Sequence, residues 1–285
     1  MRQLNVGPER KLAVAHKQLH GFVREMVAKR KPAASCRCDD EVEAAVDILF
    51  ADPVYSGGGF PLGNILILFM FAGRDTVGTA LPWLFYSLAK NPGVVSAIRK
   101  ELAQLITIRK DKEAAYSSSN TMVFFEPEET KSLVYLEAAI LETLRLYPPG
   151  PLERKLVLAD DVLPSGHRLC SGETILVSIY AMGRMEALWG KDCHEYRPER
   201  WLSRSDDGAA TELRYVPSHK FMAFNSGPRL CLGKDIAIAQ MKTVVAAVVW
   251  NFDVELLRGQ STIKPKLSCT LQMNNKLMVT VNKTN

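Results

Sequence analysis

The 285-residue sequence lacks any apolar run long enough to cross a bilayer. The longest, Ile65 to Ala72, stops at Arg74-Asp75. No secretory leader is expected, because Met1-Arg2-Gln3 opens into a polar helical stretch. Charge of one sign is also scarce. The net +5 is mild and no basic run carries interleaved aromatics, which excludes nucleic acid as a partner. The six cysteines, at 36, 38, 170, 193, 231 and 269, show no paired framework, so free thiols in a reducing compartment are expected. Cys36-x-Cys38 lacks the second pair that a zinc site needs, and His194 beside Cys193 does not supply it. Asn282-Lys283-Thr284 fits a glycosylation sequon by chance.

What is present suits one large core. Hydrophobic content of 47% and charged content of 24% are ordinary for a globular chain of this length. Apolar spacing predicts a helix over 9–31 ended by Pro32, and a shorter one over 40–50 before the break at Ser56-Gly57-Gly58-Gly59. From 64 to 90 the pattern is apolar nearly all round at first, which predicts burial, with a bend at Pro82. Helices over 93–109 and 128–146 flank a surface loop at 111–121. Pro164-Ser165-Gly166-His167 signals a hairpin, Thr174 to Tyr180 a strand, and Asn274-Asn275 a second hairpin between 270–273 and 277–281. The expected fold class is mainly α with small β-sheets, an α+β arrangement.

One loop carries the chemistry. Phe224-Asn225-Ser226-Gly227-Pro228-Arg229-Leu230-Cys231-Leu232-Gly233 places a cysteine between two glycines, behind a proline-fixed turn and an arginine. Glycine lets the backbone approach a flat partner closely. A helix beginning just after Cys231 would favour an anionic sulfur through its amides and dipole. A thiolate held in this way suits a haem iron. Taken alone, Cys231 could equally be a buried structural cysteine.

Two further patterns are ambiguous by spacing. Glu142 and Arg145 stand three apart on a helix face, where a solvated pair is the ordinary reading. Asp75 and Thr76 are adjacent in an apolar helix, costly to bury without a role, yet able simply to cap or kink it.

Together these segments resemble the cytochrome P-450 monooxygenases. F-x-x-G-x-R-x-C-x-G is that family's haem loop, and Phe224, Gly227, Arg229, Cys231 and Gly233 fill every fixed position. The resemblance implies that Cys231 is the axial ligand of haem iron. It implies that Glu142, Arg145 and Arg200, the last within Tyr196-Arg197-Pro198-Glu199-Arg200-Trp201, form a buried charge triad. In Ala72-Gly73-Arg74-Asp75-Thr76 it makes Thr76 the hydrogen-bond donor to dioxygen and Asp75 a proton relay, with Gly73 leaving room above the iron. Val77 departs from the second threonine common in the family. Arg154 and Arg229 match propionate-binding positions, although Arg154 read alone could be a surface residue. Phe71, Ala72, Gly150, Pro151, Leu152 and Cys269 to Leu271 would line an apolar substrate pocket.

The wording is similar to the plant clade that hydroxylates fatty acids and alkanes, including mid-chain alkane hydroxylases. The implied function is hydroxylation of a long apolar substrate with dioxygen and electrons from NADPH through a cytochrome reductase docked near Lys220, Lys234 and Lys242. The implied location is the cytosolic face of the endoplasmic reticulum membrane, with membrane association belonging to the full-length relative. Residues 1–285 read as a partial domain, the C-terminal half of a family member, with the oxygen-binding helix at about 64–90, the E-x-x-R helix at about 128–146 and the haem loop at 224–233. On that ground a non-catalytic remnant is one alternative. A haem-thiolate hydroperoxide isomerase is the other, and the intact Asp75–Thr76 pair argues against it.

Overall fold

A computed structural model describes residues 7–29, 62–112, 122–203 and 212–284. The expected helix over 40–50, the glycine break and most of the 111–121 loop lie outside the described residues. The chain divides into two compact units, Met1–Arg74 and Asp75–Asn285. The first contains α1 (Pro8–Lys29) and the start of α2 (Leu62–Lys90). Helix α1 forms where the periodicity places it, with Pro8 in the first turn, where its missing N–H costs nothing. Val23 is buried on it, whereas Leu12, Phe22 and Met26 remain exposed.

Helix α2 corrects one expectation about burial. Its start is not buried, because Leu68, Phe69, Met70 and Phe71 are all exposed. An all-round apolar helix needs neighbours on every side, and none of the described residues covers this stretch. As the 64–90 pattern predicts, the helix runs on through Arg74-Asp75 and through Pro82. By length and composition alone Gly63–Lys90 is therefore able to cross a membrane, which the interrupted apolar run did not suggest.

The second unit holds the core. The later part of α2 packs Ala80, Leu84 and Leu88 against Ile98 and Leu102 of α3 (Pro92–Lys112). Next come α4 (Pro127–Thr130) and α5 (Val134–Leu146), and the one helix expected over 128–146 is thus two. The cause is local. Glu129 accepts the Glu126 N–H at 2.8 Å and is gripped by Arg109, while Thr130 Oγ1 donates to Pro127 O at 2.8 Å. Helix α5 then starts afresh, its amides at Tyr135 and Leu136 donating to the Glu101 carboxylate at 2.8 and 3.0 Å. A carboxylate there meets orphan N–H groups and the positive helix end. Burial nonetheless raises the Glu101 pKa, against the lowering by those amides.

Beyond α5 the chain makes β1 (Leu152–Leu156), β2 (Asp161–Val162), β3 (Arg168–Leu169), β4 (Thr174–Ser178), α6 (Ile179–Met182) and α7 (Glu186–Trp189). Single 3-10 turns at Pro198–Trp201 and Gly227–Arg229 bracket β5 (Leu202–Ser203) and β6 (Glu212–Leu213). Then follow α8 (Lys234–Asn251), β7 (Phe252–Leu256), β8 (Pro265–Leu267), β9 (Leu271–Met273) and β10 (Val279–Lys283). Among the described residues five two-stranded antiparallel sheets form: β1 with β4, β2 with β3, β5 with β6, β8 with β9, and β7 with β10. The hairpin expected around Asn274-Asn275 is not made. Strand β9 turns back onto β8, and β10 crosses to β7, with Val281 opposite Val254. The fold is mixed α+β.

Candidate functional site

The loop before α8 is shaped by backbone conformation. Asn225 takes φ 62° and Gly227 φ 60°, the left-handed region that glycine enters without cost and asparagine tolerates. The Asn225 carboxamide secures that turn by accepting the Ser226 N–H at 2.9 Å and Lys155 Nζ at 3.2 Å. The Cys231 N–H donates to Phe224 O at 2.9 Å, closing the loop on itself. Phe224 is half-buried against the core. Cys231 is a free, exposed thiol three residues before α8. Leu230, Leu232 and Ile236, close to it in the chain, are exposed apolar side chains, Leu232 by 92%. A Cβ on Gly233 would stand 4.0 Å from Sγ, so the glycine keeps the space beside the sulfur open.

Strand β1 lies against this loop. Glu153 pairs with Lys155 at 2.8 Å, and Lys155 reaches Asn225. The Lys155 bond holds Glu153 below the ordinary carboxylate range, with Asn225 and the charge of Arg229 assisting. Alternation sends Arg154 to the opposite strand face, exposed, with Nη2 donating to Thr174 Oγ1 at 3.5 Å. Arg229 ends the 3-10 turn and is exposed. On α2, Asp75 and Thr76 occupy the exposed side, while Val77 turns inward to the core. Ile238, Met241 and Val245 of α8 enter that same core, so the helix after Cys231 and the helix bearing Thr76 share one packing unit. Gly73 stands in open space, where a Cβ would meet nothing within 4 Å.

Glu142, Arg145 and Arg200 come together. Arg145 Nε and Nη2 donate to the Glu142 carboxylate at 2.7 and 2.8 Å, and Arg200 Nε at 2.8 Å. The Arg197 N–H and Trp201 Nε1 complete five donors on one buried carboxylate, at 2.8 and 2.9 Å. Arg145 spends its remaining donors on the carbonyls of Gly183, Cys193 and Glu195. Glu142 and Asp192 together raise the Arg200 pKa against the effect of burial. Sequence reasoning missed Gly183, where a Cβ would sit 2.1 Å from Arg145 O. No turn signal marks it, because the constraint comes from a chain segment 38 residues away. It also missed Glu101, which looks like an ordinary surface acid on a helix.

One expected surface residue is internal. Lys242 was expected on a basic docking face, but its Nζ is buried, paired to Glu137 at 2.5 Å and bonded to Lys131 O at 3.3 Å. Helix α8 is apolar on most sides, and its lysine spacing did not reveal which face turned inward. Lys220 and Lys234 lie over aromatic rings, those of Trp189 and Phe224. A groove of about 390 Å³ lined by Phe85, Leu88, Val95, Val249 and Phe252 contains none of the expected site residues.

The donor set restricts what Cys231 can bind. Among the described residues no cluster of three His, Cys, Asp or Glu could hold a metal ion. Cys231 offers a single exposed sulfur, which suits a metal carried by a group with ligands of its own. Glycines, apolar neighbours and Arg229 in the same loop fit a flat macrocycle with anionic arms. The model of the Cytochrome P-450 family matches residues 3–281, and the chain belongs to this family. It is 42% identical over 283 residues to cytochrome P-450 86B1 of Arabidopsis thaliana, covering 98% of this chain and 49% of that protein. Noroxomaritidine synthase 2 of Narcissus aff. pseudonarcissus MK-2014 is 38% identical, over 99% of this chain and 53% of its own length. Alkane hydroxylase MAH1 of Arabidopsis thaliana is 41% identical, over 77% and 39%. The chain spans about half the length of the curated relatives it matches.

Proposed function

We propose that this chain provides the haem-binding portion of a monooxygenase that hydroxylates a long-chain apolar substrate, a fatty acid, alkane or wax component. The observation that carries the reading is Cys231, exposed on a closed loop at the mouth of α8, with apolar neighbours. Bound haem supplies the iron at which dioxygen is reduced by two electrons and two protons, one oxygen entering a C–H bond and the other leaving as water. Cys231 holds the iron through its sulfur, and Phe224, Gly227 and Gly233 shape the loop that presents it. Arg229 and Arg154 pair with the propionates through their fork geometry. Thr76 donates a hydrogen bond toward the oxygen, and Asp75 passes protons to that hydroxyl, beside a Gly73 that leaves the approach open. Glu142, Arg145 and Arg200 brace the segment whose Trp201 packs, through Phe221, toward Phe224 of the cysteine loop. Electrons come from NADPH through a cytochrome reductase that meets the basic surface at Lys220 and Lys234, without Lys242. The place of work is the cytosolic face of the endoplasmic reticulum membrane. The names of cytochrome P-450 86B1 and alkane hydroxylase MAH1 support the enzyme class and the apolar substrate.

A second reading, haem binding without turnover, is favoured by the exposure of Leu68 to Phe71, which leaves the start of the oxygen-side helix uncovered. Spectra and coupled turnover separate the two. The reduced carbon monoxide complex should show a thiolate-type Soret band that Cys231→Ser abolishes. Thr76→Ala should keep the band but lower product formed per NADPH consumed, with a rate loss of about a hundredfold. A stable band in the wild-type chain without hydroxylated product would favour haem binding alone. No band at all would overturn both.

A further inference from the structure

Seven residues beyond Thr76, two helical turns along α2, stands Trp83, which is wholly buried. A buried indole N–H requires a partner. Here Nε1 donates to Leu271 O at 2.7 Å, across 188 residues of sequence. Leu271 answers through its own N–H, which donates to Pro149 O at 2.9 Å. The Trp83 ring also stacks on Tyr147, with centroids 4.1 Å apart and planes 2° from parallel. Tyr86 meets both rings edge-on at 5.8 and 6.4 Å. One side chain therefore joins three stretches of chain: α2, the Tyr147-Pro148-Pro149 turn after α5, and the first residue of β9.

Besides the Leu271 N–H bond to Pro149 O, the turn after α5 and β9 have only short ladders of their own among the described residues. Strands β8 and β9 are three residues each and pair only with one another, and a pair that short is not stable by itself. The turn after α5 makes no ladder until β1 begins at Leu152. Yet Gly150, Pro151, Leu152 and Cys269 to Leu271 are the residues expected to face the substrate, and they adjoin the two anchored points, Pro149 and Leu271. We infer that Trp83 is a positioning residue. Through its bond to Leu271 O and its stack on Tyr147 it sets the spacing between the helix that handles protons and the two segments that shape the substrate end of the pocket. It thereby determines which carbon of the chain is presented for hydroxylation. This rests on the proposed monooxygenase function.

Trp83→Phe keeps an aromatic ring for the stack and removes the donor, together with part of the buried indole volume. Ser87→Ala serves as the control, since Ser87 is buried one turn further on α2 and its Oγ bonds only Trp83 O. In the haem-loaded chain, three readouts are taken: amide exchange at Leu271, the spectral dissociation constant for palmitate, and the positions hydroxylated. Trp83→Phe should retain the thiolate Soret band, speed exchange at Leu271 about tenfold, weaken palmitate binding by a similar factor and redistribute the hydroxylated positions. Ser87→Ala should change none of the three. Unchanged exchange at Leu271 would overturn the inference, as would faster exchange with unaltered binding and positions. A wild-type chain lacking the Soret band would refute the proposed function and this inference with it. A normal band with unmoved product positions would refute the inference alone.

Discussion

Replacing Glu142 with glutamine tests whether the buried triad carries a large share of stability. The change preserves volume and one acceptor oxygen but removes the charge. Glu142 and Arg145 have no exposed side-chain surface, and Arg200 only 11%. The guanidinium of Arg145 would be left buried without its counter-charge, which typically costs about 3–5 kcal/mol. Five donors now converge on the carboxylate, so the new amide nitrogen would have to face N–H groups. That places Glu142→Gln toward the upper end, at about 4 kcal/mol, against a total stability on the order of 5–15 kcal/mol for a domain. Arg200→Met should cost less, about 2 kcal/mol, because Glu142 keeps Arg145 and the site is partly open to water. Urea unfolding followed by tryptophan emission is a direct assay, since Trp201 Nε1 bonds Glu142 Oε2. The midpoint should fall with an unchanged slope. A loss below about 1 kcal/mol for Glu142→Gln, or a larger loss for Arg200→Met, would refute the reasoning.

Gly183→Ala should be nearly as damaging, by about 3 kcal/mol or more, because its Cβ would overlap Arg145 O at 2.1 Å and a backbone carbonyl cannot swing aside; wild-type urea stability in this variant would disprove it. The Arg109–Glu129 pair predicts a pH effect. Its hydrogen bonds hold Glu129 below the ordinary 4.5, so the pair stabilises the fold above that value and ceases to as pH falls through the depressed one. The pair is about a third exposed, which limits it to about 1 kcal/mol at most. Wild type should melt above Arg109→Gln near neutrality and converge with it on acidification, and a gap independent of pH would contradict the assignment.

Much of this arrangement was legible because its causes are local. Helix α1, the long reach of α2 and the turn at Gly166 follow from periodicity and from glycine and proline placement. The cysteine loop was legible because Gly227 and Cys231 answer to one short backbone path. What the sequence concealed depends on residues far apart. The break between α4 and α5 is fixed by Arg109 and Glu101, both on α3. Strand β9 left the expected hairpin because Trp83 and Pro149 hold Leu271 where β8 can pair with it. Lys242 was misplaced for the same kind of reason, since Glu137 and Lys131 O draw it inward from another helix. Local propensity proposes an element, and partners at long range decide where it ends.

The triad and the cysteine loop are physically continuous, which bears on what the triad is for. Trp201, bonded to Glu142, meets Phe221 with ring centroids 4.7 Å apart, and Phe221 meets Phe224 at 6.4 Å. Phe224 O then receives the Cys231 N–H. Phe221 packs against both the small Trp189–Trp201 cluster and the large helical core, so it belongs to each. A buried charge cluster is weak evidence for stability, since apolar residues of similar volume often serve as well. Its advantage here is directional. The Trp201 Nε1 bond, one of five to the same carboxylate, fixes that ring in one orientation, which an apolar cluster would not do. The aromatic rings carry that orientation to the residue whose carbonyl closes the cysteine loop. The role proposed for Cys231 depends on its sulfur being held in one place, so the orientation passed along these rings is a stronger reason for the triad than the energy it contributes.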